Sequence, residues 1–107
     1  MKEFRQMLGN RTLCEIQADF CGVFTNPERI RIMLVLEDQE MSVGEIAQSL
    51  KISMPNLSQH LRLMKDRRCL TSRKEGKHVF YRVTSPLFME AMFLIRQGLQ
   101  DAEQQRQ

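Results

Sequence analysis

Only Lys51 and Ile52 separate two short amphipathic patterns in this chain. Ser42-Val43-Gly44-Glu45 has the form of a capping box: the serine hydroxyl accepts the Glu45 amide, and the glutamate reaches back to the serine amide. It opens a helix through Leu50 with Val43, Ile46, Ala47 and Leu50 inward. Ser53 caps a second helix, Met54 to about Arg68, with Leu57, Leu61 and Met64 on one stripe. So short a connection forces the two helices to cross sharply, which is helix-turn-helix geometry. Beyond Leu70 the pattern changes to β: Val79, Tyr81 and Val83 alternate with Phe80 and Arg82. Glu75-Gly76-Lys77 supplies the turn, with Gly76 free to take a positive φ. Helix, turn, helix, then β-wing is an order that sets one helix into the major groove of a duplex.

The flanking segments complete a mainly α fold with a small β-hairpin wing. Thr12-Leu13-Cys14-Glu15 reads as another capping box, opening a helix with Leu13, Ile16, Phe20, Val23 and Phe24 at helical spacing. Residues 1–11 form an N-terminal arm before it. Asn26-Pro27 restarts a helix with Ile30, Met33, Leu34 and Leu36 on its buried side, expected to end near Glu37-Asp38. Ser85-Pro86 opens the last helix, and residues 100–107 are expected to fray. That helix carries Leu87, Phe88, Met89, Ala91, Met92, Phe93, Leu94 and Ile95 in little more than two turns. One face suffices for the domain's own core, so another needs a cover. A second copy of the same helix is the economical one, giving an isologous homodimer; a lipid- or ligand-binding groove is the alternative.

Charge sharpens the reading. From Arg62 to Arg82 there are eight cations (Arg62, Lys65, Arg67, Arg68, Arg73, Lys74, Lys77, Arg82) against Asp66 and Glu75, a net +6, whereas the whole chain nets +3. The remaining residues therefore sum to −3, and the positive charge is a focused stripe of the kind that meets phosphate. At 107 residues, 42% apolar and 27% charged, the chain is expected to be one globular domain. It shows no membrane-spanning run and no secretory signal, and its three cysteines fit a reducing cytoplasm better than a disulfide scaffold. An enzyme is not expected: His60 and His78 fall in no nucleophile–base or metal-hydrolase spacing, and no glycine-rich phosphate loop occurs.

Four segments, in order, resemble the ArsR/SmtB family of winged-helix repressors. They are Asn26-Pro27-Glu28-Arg29-Ile30-Arg31-Ile32, Met41-Ser42-Val43-Gly44-Glu45-Ile46-Ala47, Leu57-Ser58-Gln59-His60-Leu61-Arg62 and Arg73-Lys74-Glu75-Gly76-Lys77-His78-Val79-Phe80-Tyr81. The resemblance implies a homodimer paired through the first and last helices, bound to an inverted-repeat operator and repressing transcription. Leu13, Phe20, Phe88, Met92, Ile95 and Leu99 would then form the dimer interface. Residues Ser53 to Arg62 fall on the family's recognition helix. Ser53 would hold a phosphate at the helix N-terminus; Asn56 and Gln59 would read base edges, since amides pair bidentately with adenine. Ser58 serves base or phosphate, and Arg62 contacts backbone. Met54 stands where relatives commonly carry a polar residue and offers only apolar contact, as to a thymine methyl. His60 packs or touches phosphate. Arg73, Lys74 and Lys77 would straddle the backbone from the wing.

The family's metal-ligand positions carry no thiols or histidines here: Ser42, Gly44 and Ala47 occupy one set, and Ser85, Leu87 and Gly98 the other, with Asp101 the lone donor. No metal or cofactor is expected, and no inducer is evident. Leu34 stands near one place of the redox-responsive branch's cysteine pair, and the last helix has no cysteine for the other. An alternative is a thiol-based metalloid or redox sensor using Cys14, Cys21 and Cys69, the last beside Arg67 and Arg68, which would lower its pKa if exposed. The three thiols as small apolar fillers is the plainer reading. A third possibility is a winged-helix module that binds protein rather than DNA.

Overall fold

The computed structural model describes residues 3–106. Along the chain run α1 (Phe4–Met7), α2 (Arg11–Cys21), a 3-10 turn (Gly22–Thr25), α3 (Pro27–Leu36), β1 (Met41–Ser42), α4 (Val43–Leu50), α5 (Met54–Asp66), β2 (Leu70–Glu75), β3 (His78–Val83) and α6 (Pro86–Gln105). The winged helix-turn-helix is therefore present, with α4 and α5 as its helix pair and β2–β3 as its wing.

Most helix starts follow the side-chain chemistry. Asn26 accepts from the Glu28 amide at 2.8 Å, with Pro27 in the first turn of α3. The Ser42 box forms completely: Glu45 N–H donates to the Ser42 hydroxyl at 3.1 Å, and Ser42 N–H donates to Glu45 Oε1 at 2.8 Å. The Thr12 box does not form. Asn10 takes its place, accepting from the Leu13 amide at 2.9 Å, so α2 begins at Arg11 with Thr12 inside its first turn. Asparagine caps at least as well as threonine, and the break at Gly9 leaves Asn10 in a non-helical conformation that suits a cap. Helix α3 stops at Leu36 because Glu37 turns to φ 51° and caps it, near the expected Glu37-Asp38 end. Helix α6 continues to Gln105 instead of fraying at residue 100; its Gln, Ala and Glu residues are good helix formers on an uninterrupted helix.

Two helix ends shape the site. Helix α4 terminates with Lys51 in the left-handed region (φ 56°, ψ 46°), and Ile52 N–H bonds back to Ala47 carbonyl at 3.2 Å. Helix α5 ends in the same way: Arg68 takes φ 68°, its N–H reaches Lys65 carbonyl at 3.1 Å, and Cys69 N–H reaches Met64 carbonyl at 2.9 Å. Both are Schellman-type closures, built here on cationic residues where glycine is the usual choice.

The core lies where α3, α4 and α5 meet, with Ile32, Met33, Leu36, Ile46, Leu57, Leu61 and Met64 essentially inaccessible. Leu70 and Val83 seal it from the base of the wing, and Val23 from the 3-10 turn. The sheet has order β1-β3-β2, antiparallel throughout. Strand β1 was not legible as a strand: two residues long, it pairs Met41 with Tyr81 and Ser42 with Phe80. The wing's loop is Gly76-Lys77 between the paired Glu75 and His78. Of the two loop residues only Gly76 has positive φ (60°), the pattern of a type II′ turn, whose twist suits the strands it joins.

Candidate nucleic-acid interface

Helix α5 divides cleanly. Leu57, Leu61 and Met64 are buried, and Met54, Asn56, Ser58, Gln59 and Arg62 are exposed. At 3.6 residues per turn, Gln59 and Arg62 lie on the side away from the buried stripe, while Ser58 and Asn56 stand on its two flanks. The N-terminus itself is open. Ser53 accepts from the Asn56 amide at 3.4 Å, a long cap, and Pro55 in the first turn donates nothing. All of these residues are open to solvent along α5.

His60 faces elsewhere. It is half-buried toward α3, with Arg29 Nη1 at 3.5 Å from its Nδ1. Arg29 also donates through Nε to Val23 carbonyl at 2.7 Å and lies 3.4 Å from the Thr25 hydroxyl through Nη2. One guanidinium thus ties the 3-10 turn, α3 and the flank of α5 together, and His60 belongs to that tie. Arg67 does related work, donating to Asp19 carbonyl at 3.3 Å near the end of α2.

On the wing, Lys74 and Lys77 are exposed. Arg73 is exposed too, but its guanidinium is already engaged. It donates to both oxygens of Glu40, at 2.8 and 2.7 Å, and to Glu75 at 2.8 Å, and it lies 4.6 Å from the Phe80 ring centroid. The hydrogen bond from Arg73 holds the Glu40 carboxyl below the usual carboxylate range. Sequence reasoning missed Glu40. Its partner is 33 residues away, and only the pairing of β1 with β3 brings the two together.

The residues expected at a dimer interface divide into three groups. Leu13, Ile95 and Leu99 are 57%, 55% and 64% exposed. Met92, by contrast, is buried in the chain's own core and anchors α6 there. Phe20 and Phe88 are half-buried and pack on each other at 4.3 Å between ring centroids, joining α2 to α6. Beside that contact runs a groove of about 620 Å3, mostly apolar, lined among others by Leu13, Ile16, Phe20, Ala91 and Ile95.

Cys14 and Cys21 are exposed and line this groove, two turns apart on α2, roughly 10 Å along the axis. Cys69 corrects an expectation. It is fully buried, its thiol contacts Met33 sulfur at 3.2 Å, and burial pushes its pKa up to about 12. The neighbouring Arg67 and Arg68 do not lower it, because the Schellman turn aims the Cys69 side chain into the core while Arg68 points outward. No group of three His, Cys, Asp or Glu side chains among the described residues is placed to hold a metal ion. Nor is any helix among them long and apolar enough to cross a membrane.

The profile described as bacterial regulatory protein, arsR family, matches residues 26–70, from the cap of α3 through α4 and α5 to the start of β2. Over 88 residues the chain is 30% identical to an HTH-type transcriptional regulator of Mycobacterium tuberculosis, Rv0081, covering 81% of this chain and 77% of that protein. The chain belongs to the arsR family of bacterial regulatory proteins. The crystal structure of Rv0081 superposes with a TM-score of 0.78 at 27% identity, covering 88% of this chain and 95% of that one. The transcriptional repressor SmtB homolog of Synechocystis is 28% identical over 86 residues, 80% of this chain. The transcriptional activator HlyU of Vibrio cholerae is 40% identical over 60 residues, 56% of this chain, and its structure gives a TM-score of 0.71. The match spans 65% of the SmtB homolog's length and 56% of HlyU's. Within the arsR family frame, α5 is the second helix of the helix-turn-helix and β2–β3 is the wing.

Proposed function

We propose that this arsR-family chain is a cytoplasmic, homodimeric regulator that binds double-stranded DNA by sequence and represses transcription by occupying an inverted-repeat operator. One observation carries the reading: α5 buries Leu57, Leu61 and Met64 and turns Ser58, Gln59 and Arg62 outward, beside a lysine-bearing wing. In the major groove, Gln59 and Asn56 offer amides that pair bidentately with adenine, and Met54 offers a methyl group to thymine. Ser53 and the open N-terminus of α5 receive a phosphate. Ser58 and Arg62, four residues apart on one side of α5, hold backbone there, and Lys74 and Lys77 hold it from the wing. His60 acts through Arg29 to set the angle of α5.

Dimerisation follows from the apolar α2–α6 surface, where Leu13, Ile95 and Leu99 have no cover within one chain. A two-fold axis there would set two α5 helices facing one side, so each reads a half-site one helical turn from the other. Repression fits the SmtB homolog's name, and on such a scaffold the sign of regulation depends on where the operator lies relative to the promoter.

Selection of bound duplexes from random DNA tests the proposal. The expected product is an inverted repeat with half-sites centred roughly 10 base pairs apart, or a multiple of that. Recovery of no enriched sequence, with a protein partner co-purifying instead, would favour the protein-interaction alternative.

A further inference from the structure

The bond between Glu40 and Arg73 reaches across a strand. In the sheet order β1-β3-β2, Arg73 on β2 is paired with Phe80 on β3, and Glu40 immediately precedes β1 on the far side. The Arg73 side chain passes over the Phe80 ring, 4.6 Å from its centroid, and closes a two-point fork on Glu40 at 2.8 and 2.7 Å. Its remaining terminal nitrogen takes Glu75 at 2.8 Å, at the last residue of β2 before the loop. All three guanidinium nitrogens are therefore used within the protein. The other end of this link is equally fixed. Two residues after Glu40 comes Ser42, which pairs with Phe80 and caps α4 through its reciprocal bonds with Glu45. A continuous path of bonds thus runs from the wing, through Glu40 and Ser42, to the first helix of the helix-turn-helix.

We propose that Glu40 is a positioning residue for DNA recognition: by clamping Arg73 across β3 it sets the pitch of the wing against α5 and keeps Arg73 off the phosphates. This rests on the DNA-binding reading above. A two-stranded ribbon twists and flexes readily, and β1 adds only two residues of pairing to restrain it. The planar fork supplies orientation that a single point charge would not, which accounts for arginine at position 73 where a lysine would serve as well for bare charge. Because the pair is partly exposed (side chains 48% and 31% accessible), it contributes little to folding, and its effect is on geometry.

The test uses full-length protein, a duplex recovered by the wild type from random DNA, and a scrambled duplex of the same composition. In Glu40→Gln the ratio of the two affinities is expected to fall by about fivefold or more, through weaker binding to the selected duplex, with an unchanged melting temperature. The charge-swapped variant, Glu40→Arg with Arg73→Glu, made together with Glu75→Gln so that residue 73 meets no like charge, is expected to restore most of the ratio. Without DNA, amide exchange at Lys74–His78 is expected to quicken in Glu40→Gln and to slow again in the swap. A Glu40→Gln ratio within about twofold of wild type, failure of the swap to restore it, or unchanged exchange in the wing each overturns the proposal. If the wild type recovers no duplex at all, the DNA-binding reading fails on its own, and the exchange measurement still judges the clamp.

Discussion

Lys77 sits in the two-residue loop of the wing, exposed and with no ion pair among the described residues, whereas Arg73 four residues earlier is held by two carboxylates. Proximity to the duplex does not make the two equivalent, because only a free cation releases counterions when it meets phosphate. Lys77→Ala is therefore expected to flatten the plot of log K against log salt by about 0.9 and to weaken binding alike on all sequences. Arg73→Ala is expected to leave that slope unchanged while reducing discrimination between duplexes. An equal loss of slope in both variants would show that Arg73 leaves its carboxylates on binding. The thiols divide in the same residue-by-residue way. Cys14 and Cys21 are exposed and Cys69 is buried with its pKa near 12, so a thiol reagent at neutral pH should modify two cysteines in the folded single chain and the third only on unfolding. The sign for stability follows: Cys69 keeps its proton in the folded state while an unfolded thiol ionises near 9, so this contribution is intact below about pH 9 and is lost as pH rises toward 12. Equilibrium unfolding of the wild type and Cys69→Ala across that window measures it, and the wild type alone is expected to show the added alkaline loss.

At the scale of elements, the turn between α4 and α5 carries the argument. Lys51 takes a left-handed conformation there, which lets the Ile52 amide close α4 and sends the chain into α5 after three residues. A β-branched side chain fits that region poorly, so Lys51→Val should cost about 1–2 kcal/mol in unfolding free energy, and Lys51→Gly should cost far less. Equal losses in thermal unfolding of the two variants would mean the backbone strain does not matter. The existence of α2 to α6 was legible because the apolar spacings of Leu57, Leu61 and Met64, or Ile46 and Leu50, are local facts, whereas α1 falls in what reads only as an N-terminal arm. So was the Gly76 turn. Element ends were less legible where two caps competed: Asn10 prevailed over Thr12 because the choice depends on which residue lies outside the helix, a backbone property. Strand β1 escaped notice because two residues have no periodicity, and its evidence lies in β3, forty positions away in the register of Met41 with Tyr81.

For the whole molecule, the buried stripe of α5 was foreseeable from spacing, whereas the division of the last helix was not. Met92 shares the apolar character of Ile95 and Leu99, yet it serves the chain's own core while they stay uncovered, a distinction set by how α6 lies on the domain. Tertiary contacts elsewhere removed Cys69 from the accessible thiols, against Met33 on α3, and joined Arg73 to Glu40 across the sheet. The uncovered side of α6 gives the dimer its test: Ile95→Glu is expected to shift sedimentation from dimer to monomer and to weaken operator binding at least tenfold, since each monomer then holds one half-site alone. A variant that remains dimeric would place the pairing surface elsewhere. The central claim is that bases are read from the outer side of α5, and the most direct measurement compares wild type with Asn56→Ala/Gln59→Ala on the selected and scrambled duplexes at one salt concentration. The account predicts that the double variant loses about 1–3 kcal/mol of discrimination per amide removed while keeping its affinity for scrambled DNA; a double variant that discriminates as well as the wild type would contradict it.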